Sequence, residues 1–375
     1  TQSYLALIDK AAPGIEVTGD TGAYLTGDTV HIQASAGVSG VAKVEVALNG
    51  GDFQDITDSY NQGYAVTENG TYTFRVTSGA GLTGQASITY TKLDSAKPVA
   101  VIDSGSYTDG SWTTGDVTLS VSNTTANLGA TTFRYQVDGG DWQDWAGPIT
   151  VDQDTVGTVY TFMAVSASGV ESDPVSITVK RDTAAPEGDI AIQANSVKTL
   201  IHQITFGLFF NHNLDVTITG NDATSGVASI QYVRSREILT QEQVAALEGW
   251  TDYQSALSET AQDAEQFVYY VKVTDHAGNV TCFGSNGVTF DLTAPAISGA
   301  ADGETCWTTQ TVTVTDANLA TVTLNGQPVE PTFTLAGNTD AVYTLVATDQ
   351  AGNETSLTVT MKPIASLEEG LGGID

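Results

Sequence analysis

The chain has few cysteines, few cationic residues and no long apolar run. Its 375 residues include two cysteines, which provide neither a disulfide framework nor a cysteine-based metal motif. Lys and Arg number 13 against 44 Asp and Glu, so the net charge is −31. That charge repels phosphate backbones and anionic lipid, so we expect no binding to nucleic acid or to a membrane surface. No stretch approaches the ~18 apolar residues of a membrane-spanning helix, so we also expect no membrane insertion.

The sequence also lacks the motifs of common catalytic sites. Its histidines lie far apart without metalloprotease spacing, there is no G-x-S-x-G motif, and no glycine-rich phosphate loop follows a strand and opens a helix. Small two-sheet sandwiches seldom supply the deep cleft that a glycosidase carboxylate pair needs. We therefore expect a protein that is not an enzyme.

What is abundant favours strands and turns. The chain has 38 Gly, only two Met, and many Thr, Ser and Val residues in short alternating runs. Four segments carry Asp and then Pro four residues later, and each of the last three follows such a run: 9–13 (DKAAP), 94–98 (DSAKP), 182–186 (DTAAP) and 291–295 (DLTAP). Their Asp-to-Asp intervals are 85, 88 and 109 residues, close to the ~100-residue size of an immunoglobulin-like sandwich.

This repeat predicts an all-β protein of four tandem immunoglobulin-like β-sandwich domains in an extended array. The predicted domains are residues 1–93, 94–181, 182–290 and 291–363, followed by a linker or tail at 364–375. Proline restricts its own backbone and that of the preceding residue, so the linkers are expected to be short and stiff. Residues 1–8 have the form of the last strand of a preceding domain, so we expect a monomeric fragment of a longer array.

A second repeated phrase marks the last hairpin of each domain. The segments VTDHAGNVT (273–281) and ATDQAGNET (347–355) share the pattern D-x-A-G-N, and the first two repeats have Ser and Gly in the corresponding turns. Glycine supplies the positive φ of a short hairpin loop, and Asp or Ser caps it by accepting backbone N–H bonds. We interpret these segments as turns between the sixth and seventh strands.

The third repeat carries an insertion, LTQEQVAALEG (239–249), that predicts a short helix. Thr240 is a candidate N-cap, Gln243 stands at its capping-box position, and Gly249 is a candidate stop. The expected helix covers about 240–248, roughly two turns, and lies across a sheet edge.

The third and fourth repeats resemble a known group of proteins. The segments ITFGLFFNHNLDVTITGNDATSGVASIQY, YYVKVTDHAGNVT and ATDQAGNETSLTVTMKPI look like the immunoglobulin-like repeats of large surface proteins from Firmicutes, many of them gut commensals. The resemblance covers residues 182–363 well and 9–181 more loosely. It implies an extracellular location, at the bacterial cell surface or secreted, but no particular ligand, because such repeats serve as stalks, adhesive modules and accessory regions of enzymes.

Two sets of three aspartates are candidate calcium ligands. In such a sandwich the incoming linker, the loop after the second strand and the last hairpin turn share one end of the domain. These places hold Asp182, Asp222 and Asp275 in the third repeat, and Asp291, Asp316 and Asp349 in the fourth. Ca²⁺ takes six to eight oxygen ligands, which three carboxylates and nearby carbonyls would supply. The alternative is that each Asp only caps a turn.

Aromatic residues offer a second, weaker site. Trp142, Trp145, Tyr135 and Trp250 suit stacking against a sugar, but Trp142 and Trp250 align with Phe53, as packing positions would. Trp145 is the least constrained of them by this alignment. Cys282 and Cys306 are expected at opposite ends of adjacent domains, too far apart for the ~7 Å Cα separation of a disulfide, so we predict two free thiols.

These observations favour a non-enzymatic segment of a bacterial surface protein. We expect a stalk, an adhesive module or both, with a host glycoprotein, mucin or immunoglobulin as partner. The alternative is a set of accessory repeats attached to a secreted carbohydrate-active enzyme. The N-terminal residues (TQSYLALIDK) lack a basic region followed by an apolar core, so any export signal is expected elsewhere in a longer chain.

Overall fold

Strands account for nearly all of the regular structure. A computed structural model describes residues 8–364, and the chain divides into two compact units, 1–183 and 184–375. Each unit holds two sandwiches of facing sheets, so the predicted all-β sandwich class is confirmed. Of the predicted terminal segments, 1–8 and 364–375, only Ile8 and Ile364 fall within the described residues.

The first unit contains a seven-stranded sandwich followed by an eight-stranded one. The first has the sheets β1-β2-β5 and β4-β3-β6-β7, and the second has β13-β10-β8 and β12-β11-β14-β15-β9. Their strands are β1 (Gly14–Thr18), β2 (Asp28–Ser35), β3 (Val41–Leu48), β4 (Gln54–Asp55), β5 (Tyr64–Val66), β6 (Gly70–Ser78), β7 (Thr83–Tyr90), β8 (Ala100–Asp103), β9 (Trp112–Thr113), β10 (Val117–Asn123), β11 (Thr132–Val137), β12 (Gln143–Asp144), β13 (Ile149–Val151), β14 (Thr155–Val165) and β15 (Val175–Arg181), with a 3₁₀ turn at Tyr60–Gln62.

The second unit contains a larger sandwich and a smaller one. The third sandwich has the sheets β17-β16-β20-β23 and β18-β25-β24-β21-β22, and β26 pairs with both β24 and β19. The fourth has β27-β29-β32 and β28-β34-β33-β30-β31. Their elements are β16 (Glu187–Ile192), β17 (Asn195–Ser196), β18 (Lys198–Thr199), a 3₁₀ turn (Ile201–Gln203), β19 (Phe206–Phe210), β20 (Leu214–Asn221), β21 (Val227–Ser235), α1 (Gln241–Ala245), β22 (Thr251–Asp252), β23 (Leu257–Glu259), β24 (Gln266–Asp275), β25 (Val280–Ser285), β26 (Gly287–Phe290), β27 (Ala296–Ser298), β28 (Thr305–Cys306), β29 (Gln310–Thr315), β30 (Leu319–Leu324), β31 (Gln327–Pro328), β32 (Thr332–Leu335), β33 (Ala341–Asp349) and β34 (Glu354–Met361).

Alternation along each strand builds one core per sandwich. In β6, Tyr72, Phe74 and Val76 are buried between the sheets while Thr73 and Arg75 point outward. Successive side chains of a strand leave opposite faces, so this period of two directs every second residue inward. Each fully buried side chain of this size contributes about 1.5–3 kcal/mol, and the other three sandwiches bury equivalent clusters.

The inserted helix begins where predicted and ends early. Thr240 is the N-cap, and its side chain and that of Gln243 form both bonds of a capping box. The α-helix nevertheless stops at Ala245 instead of about 248. The chain tightens there, with Leu247 N–H donating to the carbonyl of Val244 (3.2 Å), which turns Leu247 toward the sheet.

The helix covers a sheet face, so its predicted position across a sheet edge is wrong. Val268 and Tyr270 lie on the outer face of β24, yet both are 0% exposed because Val244, Leu247 and the half-buried Trp250 cover them. The Trp250 indole donates to the carbonyl of Leu247 (3.0 Å). The third sandwich therefore has a second, smaller core outside its two sheets.

In the second sandwich Trp145, and not Trp142, packs against the core. Trp145 packs edge-on against Phe133 (5.5 Å between ring centroids) and belongs to the core, whereas Trp142 is 38% exposed. Trp145 follows β12 directly, and its backbone N–H donates to the carbonyl of Phe133 (2.9 Å), which places the indole against the core. The packing role expected from the alignment is confirmed for Phe53, which covers its sheet by stacking under Arg75 (3.7 Å), and for the half-buried Trp250, so Trp142 is the exception.

The cysteines are both free, as predicted, with Cys282 exposed and Cys306 buried. No helix among residues 8–364 is long and apolar enough to cross a membrane.

Candidate metal centre

The linker aspartates are fixed by a short parallel strand pair at one end of each sandwich. Strands β9, β19 and β28 pair in parallel with the last strands β15, β26 and β34, and a single bridge from Leu25 to Leu93 does the same in the first sandwich. The backbone N–H of the residue directly after the paired segment then extends this pairing. Asp94, Asp182 and Asp291 donate in this way to the carbonyls of Leu25, Thr113 and Phe210 (2.8–3.0 Å). The backbone of each linker Asp is thus set by the preceding sandwich.

The last hairpin turn has one geometry in all four sandwiches. Its first residue is Ser78, Ser166, Asp275 or Asp349, and in each case this residue's N–H donates to the carbonyl four positions later. The side-chain oxygen accepts the N–H of that later residue at 2.8–3.2 Å. The turn glycine has a positive φ of 81° to 93° throughout. A serine hydroxyl is therefore sufficient for the turn, and the second carboxylate oxygen of Asp275 and Asp349 is not needed for it.

In the fourth sandwich three carboxylates converge. Asp291 (6% exposed) comes from the linker, the half-buried Asp316 from the loop between β29 and β30, and Asp349 (3% exposed) from the end of β33. Each offers a carboxylate oxygen, and these oxygens lie within 4.8 Å of one another. The predicted set is thus brought together, although its role as a metal site stays a prediction.

Two asparagines complete this cluster. The Asn318 amide donates to Asp291 Oδ2 (2.7 Å). The Asn353 amide donates both to Asp349 Oδ2 (2.7 Å) and to the carbonyl of Asp291 (2.8 Å). Asn211, next to β19 of the third sandwich, donates in turn to Asn353 Oδ1 (3.2 Å). The cluster therefore ties the third sandwich to the fourth.

The third sandwich repeats part of the arrangement. Asp222 lies in the loop between β20 and β21, Asp275 ends β24, and their carboxylates approach within 4.8 Å. Burial raises the pKa of Asp222, but the N–H groups of Gly226, Ser225 and Thr224 outweigh it, so its pKa is lowered. Asp182 is 0% exposed and belongs to the first unit.

In the second sandwich hydrogen-bond donors surround the linker Asp. The Asp94 carboxylate accepts the N–H of Leu128 (2.6 Å), the amide of Asn127 (3.1 Å) and the N–H of Ala96 (2.9 Å). Burial raises the pKa of Asp94 and these donors outweigh it, so the pKa falls. In the first sandwich Asp9 similarly accepts from the Ser39 hydroxyl (2.7 Å). In these two sandwiches the linker Asp meets hydrogen-bond donors, whereas in the fourth it meets Asp316 and Asp349.

The donor set of the fourth sandwich fits a hard cation. All of its candidate ligands are oxygens: three carboxylates, and the amide oxygens that Asn318 and Asn353 present when their side chains turn over. Ca²⁺–oxygen distances are about 2.4 Å, so two ligand oxygens of one ion are at most about 4.8 Å apart, which these carboxylates satisfy. Asp291, Asp316 and Asp349 would hold the ion.

Asn318 is the residue that sequence reasoning missed. It follows Asp316 by two positions, and its N–H donates to Asp316 Oδ1 (2.6 Å) in an Asx turn. A D-x-N pattern is the local signal for such a turn, but the approach of its amide to Asp291, 27 positions away, depends on the tertiary structure.

Comparisons with known proteins do not assign a family. No protein-family model and no curated protein matches the chain. Among solved structures it is similar to three N-terminal domains of the Highly Immunogenic Outer Capsid protein (Hoc) of bacteriophage RB49, with 11% identity, 75% of this chain and 100% of that one covered, and a TM-score of 0.33.

Two further structures are similar at the same level. Fibronectin(III)-like modules of Clostridium thermocellum CbhA share 13% identity over 52% of this chain and 94% of that one, with a TM-score of 0.23. Domains EC3–6 of protocadherin gammaB7 share 13% identity over 90% and 96%, with a TM-score of 0.30. The fold assignment rests on the sheets described above, and these likenesses name no ligand for this chain.

Proposed function

We propose that the chain is a non-enzymatic segment of a bacterial surface protein of the Firmicutes type, acting as a stalk that also presents adhesive surfaces. The observation that carries this proposal is that linker aspartates form hydrogen bonds with the sandwiches on both sides of the linker. Asp94 donates to the first sandwich through its backbone and accepts from the second through its side chain. Asp291 does the same between the third and the fourth. Buried hydrogen bonds to a charged group are worth about 1.5–3 kcal/mol each, enough to restrict motion at these linkers.

Calcium has a defined place in this proposal. Between the first and second sandwiches, N–H donors stabilise the charged carboxylate of the linker Asp. Between the third and fourth, a Ca²⁺ ion held by Asp291, Asp316 and Asp349 would neutralise three clustered carboxylates and join the linker to the two loops. The linker at Asp94 is stiff without metal, whereas the linker at Asp291 becomes stiff when calcium is bound. An extracellular location, where calcium is abundant, agrees with such a site.

Spin labels on either side of the Asp94 linker test the stalk role. Cysteines introduced at the exposed Thr83 and Val101, in a Cys282→Ser background, would report the distance distribution between the first two sandwiches. We expect a narrow distribution that broadens in Asp94→Ala. Asp103→Ala is the matched control, because the Asp103 carboxylate caps only Gly105 within its own sandwich. An unmodified chain as broad as the Asp94 variant would refute a stiff stalk.

The adhesive role is tested by direct binding. We expect the chain to bind an immobilised host glycoprotein, mucin or immunoglobulin. Retention of a stiff linker with no binding to any of these would leave the stalk alone. A catalytic domain in the same reading frame would instead favour accessory repeats of a secreted carbohydrate-active enzyme.

A further inference from the structure

The first sandwich has an open pocket at a position where the other three carry larger side chains. The pocket measures about 180 Å³ and lies between β3, β4 and β5, with Val46 at its base. Val46 stands directly opposite Gln54, the first residue of β4. The corresponding residue is Tyr135 in the second sandwich, Tyr232 in the third and Leu324 in the fourth. Valine is the smallest of these side chains, so it leaves more space at this position than the residues of the other three sandwiches.

The second sandwich shows how a larger residue closes this space. The Tyr135 ring packs against Phe162 (6.1 Å between centroids), and its hydroxyl hydrogen-bonds Gln143 Oε1 (3.0 Å). Gln143 is the counterpart of Gln54, since each is the first residue of its strand. With Val46 in place of a tyrosine, Gln54 has no side-chain hydrogen-bond partner among residues 8–364 and borders the pocket instead.

The lining combines an apolar wall with a polar rim. Leu48, Tyr64 and Tyr72 form the wall, and Tyr64 and Tyr72 are held in place by tilted ring contacts (6.1 Å). The Tyr72 hydroxyl donates to the carbonyl of Glu68 (2.9 Å), which fixes the loop at the rim. This wall is therefore preorganised before any ligand arrives, which lowers the entropic cost of binding.

The rim offers free hydrogen-bonding groups of mixed character. Asp52, Gln54 and Glu68 are exposed at the pocket, and their side chains have no hydrogen-bond or ion-pair partner within the described part of the chain. The carboxylates only accept, whereas the Gln54 amide both donates and accepts. Hydroxyl groups around a compact ring with an apolar face match this combination of rim and wall.

We propose that this pocket binds one neutral sugar ring, which deepens and rests on the adhesive part of the proposed function. Pockets for drug-sized ligands are about 300–1,000 Å³, so 180 Å³ suits a single ring. The C–H face of a sugar packs on Tyr64, and its hydroxyls donate to Asp52 and Glu68. Anionic sugars are disfavoured by these carboxylates and by the net charge of −31.

Saturation-transfer NMR on the full chain tests this site. The probes are methyl glycosides of galactose, glucose and N-acetylglucosamine, with N-acetylneuraminic acid as the anionic control. For a ligand of this size we expect a Kd on the order of 1 mM for at least one neutral glycoside. Val46→Tyr should abolish transfer by reproducing the second sandwich, and Asp52→Asn should weaken binding about tenfold. Asp141→Asn, the same change at the aligned position of the second sandwich, should leave it unchanged.

These experiments test the sugar pocket independently of the stalk role. If Val46→Tyr fails to fold, Asp52→Asn and Gln54→Ala, both at exposed positions, still report on the pocket. The proposal is overturned if no neutral glycoside shows transfer, or if the signal persists equally in the folded pocket variants. It is also overturned if N-methylguanidinium binds the pocket and sugars do not, which would assign the rim to a cationic peptide side chain. None of these outcomes alters the spin-label result at Asp94, and mucin binding that survives Val46→Tyr would place adhesion elsewhere.

Discussion

Calcium should reverse the order of stability between the wild-type chain and Asp316→Asn. Asp316 is the least buried of the three clustered carboxylates, and asparagine retains the oxygen that accepts the Asn318 N–H. Without metal, each pair of like charges at this separation costs about 1 kcal/mol even in a water-like dielectric. Removing one charge should therefore raise the melting temperature in chelator.

With calcium the sign changes. Extracellular modules bind Ca²⁺ with Kd values of about 0.1–1 mM, so about 10 mM Ca²⁺ stabilises the folded wild-type chain by roughly 1.4–2.7 kcal/mol. A domain of about 60–100 residues gains about 4–8 °C per kcal/mol, so we expect a rise of roughly 6–22 °C in the calcium-sensitive transition. Asp316→Asn loses one of three carboxylates and should gain much less.

Differential scanning calorimetry in EDTA and in added calcium measures this crossover. Asp103→Asn is the matched control, because it makes the same chemical change in an isolated turn of the second sandwich. It should alter neither the chelator curve nor the calcium response beyond a small offset. Wild-type curves that overlay with and without calcium would refute the metal site and leave the six aspartates as turn caps.

Four further outcomes follow from the contacts described. Asp349→Ser should keep the hairpin turn, because Ser78 and Ser166 make the same bond in their sandwiches. It should nevertheless lose the calcium-induced rise in melting temperature, and a rise as large as that of the wild type would contradict this. Thr240→Ala removes the capping box and should destabilise the third sandwich by about 1 kcal/mol in urea, whereas no change would mean that packing alone holds the helix. The pKa of Asp222 is lowered in the folded state. The free energy by which its carboxylate stabilises the fold is therefore complete above the unfolded pKa of about 3.9 and is lost as the pH falls through the folded value. Asp222→Asn should lose less stability than the wild type on acidification below about pH 4. Cys282 should react with a thiol reagent in the native chain, and Cys306 only after unfolding. Partial desolvation by neighbouring groups raises the pKa of the exposed Cys282 thiol, and Lys272 opposes this only in part, so the reaction is slow at neutral pH.

Local signals in the sequence were reliable wherever a short segment decides its own structure. The capping box at Thr240 and Gln243 formed as its spacing predicts, because both bonds lie within one turn. The hairpin glycines Gly278 and Gly352 have the positive φ that their turns require. The end of the helix was less predictable, since packing of Leu247 and Trp250 on β24 ended it before the glycine did.

Long-range packing explains the expectations that were wrong. Trp142 and Trp145 lie three positions apart in similar surroundings, and only the course of the chain after β12 puts Trp145 in the core. Similarly, the continuous apolar run at 267–271 (FVYYV) indicates a strand buried on both faces, but it does not show what covers the outer face of β24. That burial comes from a helix inserted about 25 residues earlier in the chain.

The sequence by itself determined the sandwich class, the turn chemistry and which residues are able to bind a cation. These follow from side-chain alternation with a period of two and from the hydrogen bonds of Asp, Ser and Gly within four or five residues. Only the tertiary structure decided that Asp291, Asp316 and Asp349 meet while Asp94 meets N–H donors instead. It also decided that Val46 leaves a pocket open where Tyr135 fills one. Both outcomes depend on which groups from distant strands and loops come within contact distance, and that is fixed by the packing of whole sheets.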